Sequence, residues 1–157
     1  MTDVFNIVKP FKKFDRQVWT LSGGAMINVL GTSMVMTFLA IYMYEQKGIS
    51  MTLVGLAFFI STICGAAAAY AGGSLSDRHG RKKILITGLM LQVLSYMALS
   101  YSIENSVSYA MFVAVMSLNS MIGGIYRPIP DVMIADIVKA GDRLESYGLL
   151  RIGANLG

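Results

Sequence analysis

Gly73-Ser74-Leu75-Ser76-Asp77-Arg78-His79-Gly80-Arg81-Lys82-Lys83 lies between two long apolar stretches, and its reading decides the fold. Charge returns abruptly here, as one acid and four bases clustered around a glycine. The residues on either side carry none: Gly48 to Ser76 and Ile84 to Ile103 are free of Asp, Glu, Lys and Arg. The same holds between Arg16 and Glu45 and from Asn105 to Tyr126. Each stretch reaches the ~20 residues that cross ~30 Å of hydrocarbon at ~1.5 Å per residue. The eleven residues are therefore a basic turn between membrane-length helices.

The bulk composition agrees. Of 157 residues, 55% are hydrophobic and 14% charged, against about a quarter charged in a soluble domain. The fold class expected is an all-α polytopic membrane protein. Helices are expected at about 18–44, 51–75, 82–101, 107–138 and 144–157, some four and a half membrane spans. The last is too short to cross, so the chain reads as the amino-terminal part of a longer protein. A four-span protein with a re-entrant tail is the other reading. Residues 1–17 form a cytoplasmic or interfacial lead, in which Phe5, Phe11 and Phe14 interleave with Lys9, Lys12, Lys13 and Arg16. The first apolar run is far longer than a signal-peptide core and reads as a retained span.

Lysine and arginine counting sets the orientation. The lead, the eleven-residue turn and the turn holding Lys139 and Arg143 carry ten bases; the opposite loops carry only Lys47. Bases collect on the cytoplasmic side, so the amino terminus and the basic turn are expected there. The setting is an inner or plasma membrane, with the lipid bilayer as partner. The net charge of +4 belongs to this topology, and nucleic-acid binding is not expected.

Each part of the turn has a physical use. Gly73 lets its helix approach a neighbour, and Gly65, Ala69 and Gly72 form a small-residue stripe of the kind that brings membrane helices together. Asp77 can accept from an exposed helix N-terminus. Gly80 supports a sharp reversal. Arg81 can grip a carboxylate with two prongs. Arg78 and Lys82 complete the pattern G-x-x-x-D-R-x-G-R-K. The plainer alternative is a basic turn that serves topology alone. His79 reads as a solvated spacer, Cys64 as a packing residue, and the twelve methionines as apolar filler.

This pattern resembles the loop between helices two and three of the major facilitator superfamily. The resemblance implies a major-facilitator-type helical bundle: two six-helix halves, rocking-type alternating access, and a loop at the cytoplasmic interface of the halves. It also implies a second acid at the cytoplasmic end of helix four, matched by Asp136 and followed by Arg143. From Ala135 through Tyr147-Gly148 to Arg151 and Gly157 the chain looks like drug-exporter-type members. The resemblance suggests that Asp77, Arg81 and Asp136 act as a conformational latch, and that the carboxyl-terminal half of the protein is a partner.

Cargo chemistry falls on other residues. Arg127 and Asp131 stand i, i+4 on the fourth predicted helix and can pair. Arg127 lies ~14 Å deeper than Asp136. Ionisable groups at such depth are functional candidates. Arg151 sits at a comparable depth on the fifth helix. These residues are candidates for a substrate or proton site, and a static pair holding a kinked helix is the alternative. Pro128 and Pro130 should break helix four there. Asn28 is a further cavity candidate, with helix packing the alternative; Gln92, Asn119 and Asn155 pose the same choice. No metal cluster, nucleotide loop or nucleophile triad is in the sequence, so neither an enzyme nor a cofactor is expected. The function expected is secondary transport of a small organic solute, with proton-coupled export (antiport) leading. Uptake of an anionic metabolite and a non-transporting membrane assembly role are the rivals.

Overall fold

A computed structural model describes residues 16–105 and 107–156. The expected lead, with Phe5, Phe11, Phe14 and its lysines, lies almost wholly outside the described residues. The described residues are all-α. The helices are α1 (Arg16–Ile41), α2 (Met51–His79), α3 (Arg81–Glu104), α4 (Tyr109–Tyr126), α5 (Ile129–Ile137) and α6 (Arg143–Leu156). Four segments are long and apolar enough to cross a membrane: Arg16–Gln46, Met51–His79, Arg81–Glu104 and Tyr109–Ile137. They are apolar around their whole circumference, as bilayer-embedded helices are. Phe38, Phe59, Leu94 and Met97 accordingly remain more than half exposed.

The chain divides into two compact units, Ala40–Ile129 and Met1–Leu39 with Pro130–Gly157. In the first, α2, α3 and α4 pack together. The starts of α2 and α4 are set by hydroxyl caps: Ser50 accepts from the Leu53 N–H and Ser108 from the Met111 N–H, both at 3.4 Å. Such caps satisfy donors that the first turn leaves orphaned. Tyr109 Oη donates to the Leu53 carbonyl at 2.7 Å, and Tyr42 Oη to the Ile103 carbonyl at 3.2 Å. Each tyrosine ties a helix end to a neighbour.

The α2–α4 contact is close because it lacks side chains. A Cβ on Gly65 would lie 3.0 Å from the Ser120 carbonyl oxygen. One on Gly72 would lie 2.6 Å from Ile125 Cα and oxygen. One on Gly124 would run into the Gly65 carbonyl oxygen. Gly73, the position the sequence nominates for close approach, has nothing within 4 Å of that point. Its neighbour Gly72 supplies the contact instead, because the helical turn points the two glycines about 100° apart. Ser61 and Ser117 face each other in the same interface at 3.5 Å, both buried.

One helix end differs from expectation, and the break expected at the two prolines is present. The second helix runs on past Leu75 to His79, absorbing most of the basic turn. The expected fourth helix is two helices, with a turn at 127–128. Pro128 and Pro130 each lack an N–H, which opens the ladder, and Pro130 then sits in the first turn of α5, where no N–H is needed. In the second unit α6 meets α1: a Cβ on Gly153 would lie 2.7 Å from the Ser22 carbonyl oxygen.

The glycine contacts make a paired prediction. Gly72→Ala forces α2 and α4 apart and destabilises the intact protein by about 1–3 kcal/mol, the usual range for overpacking. Gly73→Ala has room and shifts stability by less than about 1 kcal/mol. Thermal unfolding of both variants in lipid or mild detergent reads the difference. Equal effects would remove the assignment of Gly72 as the contact glycine.

Candidate functional site

The basic turn is a one-residue hinge. Gly80 ends α2 and starts α3, at φ +90° and ψ 127°. A residue with a Cβ rarely takes that backbone conformation, so glycine is required for geometry rather than space. The Gly80 N–H donates to the Ser76 carbonyl at 3.0 Å, and its own carbonyl accepts from Ile84 at 3.2 Å. One residue thus closes one helix and opens the next.

Charge is distributed unevenly across this hinge. Arg78 and His79 occupy the last turn of α2, where bases complement the helix dipole. Arg81, Lys82 and Lys83 occupy the first turn of α3, where bases oppose it, and no acid accompanies them. Asp77 reaches across the glycine to Arg81 at 3.5 Å, the pair being i, i+4. Its carboxylate is 65% exposed, and an exposed pair contributes only about 0–1 kcal/mol. Fold stability therefore does not account for three bases at this helix start. An open groove of about 570 Å³ runs along Gly80, Arg81, Lys82, Lys83, Ile86 and Thr87. It is a surface feature, too open to enclose a solute.

A second polar arrangement joins α5 and α6. Arg143, Tyr147 and Arg151 recur every fourth residue on α6 and so share one face. Arg143 donates to the Ala135 carbonyl at 2.7 Å and, through Nε, to the Val138 carbonyl at 3.2 Å. These are orphan acceptors at the end of α5, capped by a guanidinium. Tyr147 Oη donates to the Asp131 backbone carbonyl at 3.1 Å. Arg151 Nη2 lies 3.1 Å from Asp131 Oδ1. Asn155, four residues further on, donates instead to the Arg151 carbonyl of its own helix at 2.7 Å. The row is a ladder of donors laid along α5.

Asp131 is a third exposed and Arg151 about two-thirds exposed. The pair combines a charge-assisted hydrogen bond with a face that other ions can reach. Arg127 belongs to the end of α4. Its guanidinium folds over Gly123, where a Cβ would lie 3.1 Å from Arg127 Cζ. The turn at 127–128 interrupts the continuous helix on which its i, i+4 relation to Asp131 rests. Asp136 is exposed in the last turn of α5, and Asn28 is half-buried on α1. Arg78 and Lys82 are exposed. Tyr147 was not singled out from sequence as a site residue. Its signal, the four-residue spacing between two arginines, was present in the chain.

A profile of the Major Facilitator Superfamily matches residues 21–157. The chain belongs to the Major Facilitator Superfamily. It is 26% identical over 150 residues to an uncharacterized MFS-type transporter, YqjV, of Bacillus subtilis (strain 168). That match covers 96% of this chain and 36% of the relative. It is 32% identical over 126 residues to a Na(+), Li(+), K(+)/H(+) antiporter of Planococcus maritimus, covering 78% of this chain and 29% of the relative. Identity to the multidrug resistance protein MdtH of Proteus mirabilis is 24% over 132 residues, with 84% and 32% covered. This facilitator chain therefore spans about a third of the length of the curated relatives it matches. The hinge and the α5–α6 ladder both lie inside the region that the superfamily profile covers.

Replacing the hinge glycine tests the geometry. Gly80→Ala in the intact protein is expected to destabilise by about 1–3 kcal/mol, the cost of a disfavoured backbone region. Gly141→Ala, in a short turn with open space around it, is expected to be near neutral. Denaturation midpoints of the two variants measure both.

Proposed function

We propose that this chain forms the amino-terminal part of a secondary active transporter. The transporter moves a small organic solute across the cell membrane by alternating access, and the leading mode is proton-coupled export. The carrying observation is the Asp131–Arg151 ion pair within helices α5 and α6. A carboxylate inside a membrane-length segment (Tyr109–Ile137) is costly unless neutralised. Arg151 supplies that neutralisation while Asp131 is ionised. Protonation of Asp131 cancels its charge and releases Arg151, so one proton changes how α5 and α6 are held. Proton binding can shift a conformational equilibrium only through such a difference in contacts. The names of the antiporter and multidrug relatives fit the export direction.

The same reading orients the protein. The basic hinge and the amino terminus face the cytoplasm, where Lys and Arg collect. Asp77, Arg81 and Asp136 form the proposed latch, supported by the Asp77–Arg81 pair at 3.5 Å and by an acid in the last turn of α5. The latch surface is completed by the carboxyl-terminal half of the transporter. An anionic cargo is the competing use of the exposed Arg151 guanidinium, and Arg127 would be its second contact. Transport, rather than enzymatic turnover, is the role proposed for this site.

Reconstitution of the intact transporter in proteoliposomes with an imposed pH gradient tests the coupling. Asp131→Asn is expected to lower gradient-driven flux about tenfold or more, equivalent to about 1.4 kcal/mol in the coupled step. Asp131→Glu keeps a titratable group and retains part of the flux. A gradient response unchanged by Asp131→Asn removes the proton-carrier role. Flux of an anionic solute that survives Asp131→Asn and is lost in Arg151→Gln points instead to anion uptake.

The latch makes a separate prediction. Asp77→Asn, in a protein that inserts and folds normally, slows transport and changes the balance of inward- and outward-facing forms. Accessibility labelling of cysteines placed on each side of the membrane reads that balance. Unchanged rates and unchanged labelling would remove the latch.

A further inference from the structure

The α3–α4 interface of the Ala40–Ile129 unit buries three polar side chains that neither the hinge nor the α5–α6 ladder uses. Gln92 is 2% exposed, Ser95 4% and Asn119 0%. Gln92 Nε2 and Oε1, Ser95 Oγ, and Asn119 Nδ2 and Oδ1 have no hydrogen-bond partner among the described residues. Other buried serines of this unit are satisfied locally. Ser61 donates to the Ala57 carbonyl and Ser102 to the Ala98 carbonyl, each at 2.8 Å.

Ser95 and Asn119 stand at one level, and Gln92 lies within one helical turn of them. A short connection joins α3 to α4, so the two helices run antiparallel. Gly88 on α3 faces Tyr126 on α4, where a Cβ on the glycine would lie 2.7 Å from Tyr126 Cβ. Moving seven residues along each helix, from Gly88 to Ser95 and from Tyr126 to Asn119, covers ~10 Å in the same direction. A seven-residue step returns to the same helix face. Asn119 therefore stands level with Ser95, on the face that α4 turns to α3. Gln92 lies three residues from Ser95 on the same buried stripe, ~4.5 Å along the axis. Gln92 is also ~16 Å from the start of α3, about half the thickness of a ~30 Å hydrocarbon layer.

Hydrocarbon offers no solvent to buried amides, and an amide left unpaired there is strongly unfavourable. A metal cation is a poor occupant, because Gln92, Ser95 and Asn119 are all neutral and a cation there would lack charge compensation. Water suits the set. It donates to the amide oxygens, accepts from the amide N–H groups, and typically makes about three hydrogen bonds in such sites. We propose that Gln92, Ser95 and Asn119 form a buried hydration site that holds water between α3 and α4 near the middle of the membrane. The water fastens the two helices through bonds that exchange readily, which a direct side-chain clamp does not allow.

The test uses the intact transporter in lipid nanodiscs. A brief X-ray pulse makes hydroxyl radicals wherever water resides, and buried methionine reports radicals made beside it. Met116 is 1% exposed and lies three residues from Asn119 on α4. Its sulfoxide is expected in the native protein and is expected to fall to background in a Gln92→Leu, Asn119→Leu double variant. His79, at the exposed end of α2, labels alike in both. Thermal unfolding supplies the second readout. A shared water predicts that the double variant loses less stability than the two single variants added together. The pair Ser95→Ala and Asn119→Leu gives the same non-additivity if the first double variant fails to fold. Three results overturn the site: Met116 unlabelled in the native protein, equal labelling in both proteins, or additive stability changes. Labelling that falls when sodium, lithium or potassium is added overturns it in favour of a cation.

Discussion

Backbone-to-backbone contact between α2 and α4 is the constraint on which the Ala40–Ile129 unit rests. Lipid tails are as apolar as the side chains of these helices, so the hydrophobic effect does not press them together. Contact must come from close packing and from polar groups that prefer each other to hydrocarbon. Gly65, Gly72 and Gly124 remove the side chains that would hold the helices apart. The paired hydroxyls of Ser61 and Ser117 lie in the same seam. The hinge at Gly80 then turns the chain back within one residue, so α3 begins where α2 ends.

The hinge and the α5–α6 ladder divide the chemistry between them. At the hinge, three bases sit at a helix start that electrostatics disfavours. Their arrangement makes sense for a surface that meets other charges, not for one that stabilises its own helix. In the ladder, each of three residues donates to α5 or its end: Arg143 to carbonyls, Tyr147 to a carbonyl, Arg151 to a carboxylate. Of these bonds, only the last ends on a carboxylate.

Much of this was legible in the sequence. Charge-free stretches located the membrane-length helices, because ionised side chains are too costly to leave in hydrocarbon. Pro128 and Pro130 marked the break in the fourth. The small-residue stripe on α2 was readable from its spacing, but its partner Gly124 was not, since helix pairing is a tertiary outcome. The basic turn is shorter than its run of charge suggests, because charged residues can continue a helix. Arg78 and His79 are compatible with a last helical turn, and only Gly80 breaks the helix. Spacing offered Asp131 two arginines. The one bonded to it in the structure comes from α6, along a four-residue row that local periodicity encodes and that pairwise reading overlooked.

The central claim is that Asp131 takes up a proton and lets go of Arg151 during the working cycle. Infrared difference spectroscopy of the intact transporter in lipid, recorded as the pH is lowered, observes carboxyl protonation directly. The account predicts a protonated-carboxyl band that grows on acidification, is absent from Asp131→Asn, and shifts in Arg151→Gln because the neutralising partner is gone. A spectrum in which that band is the same in the native protein and in Asp131→Asn would contradict it.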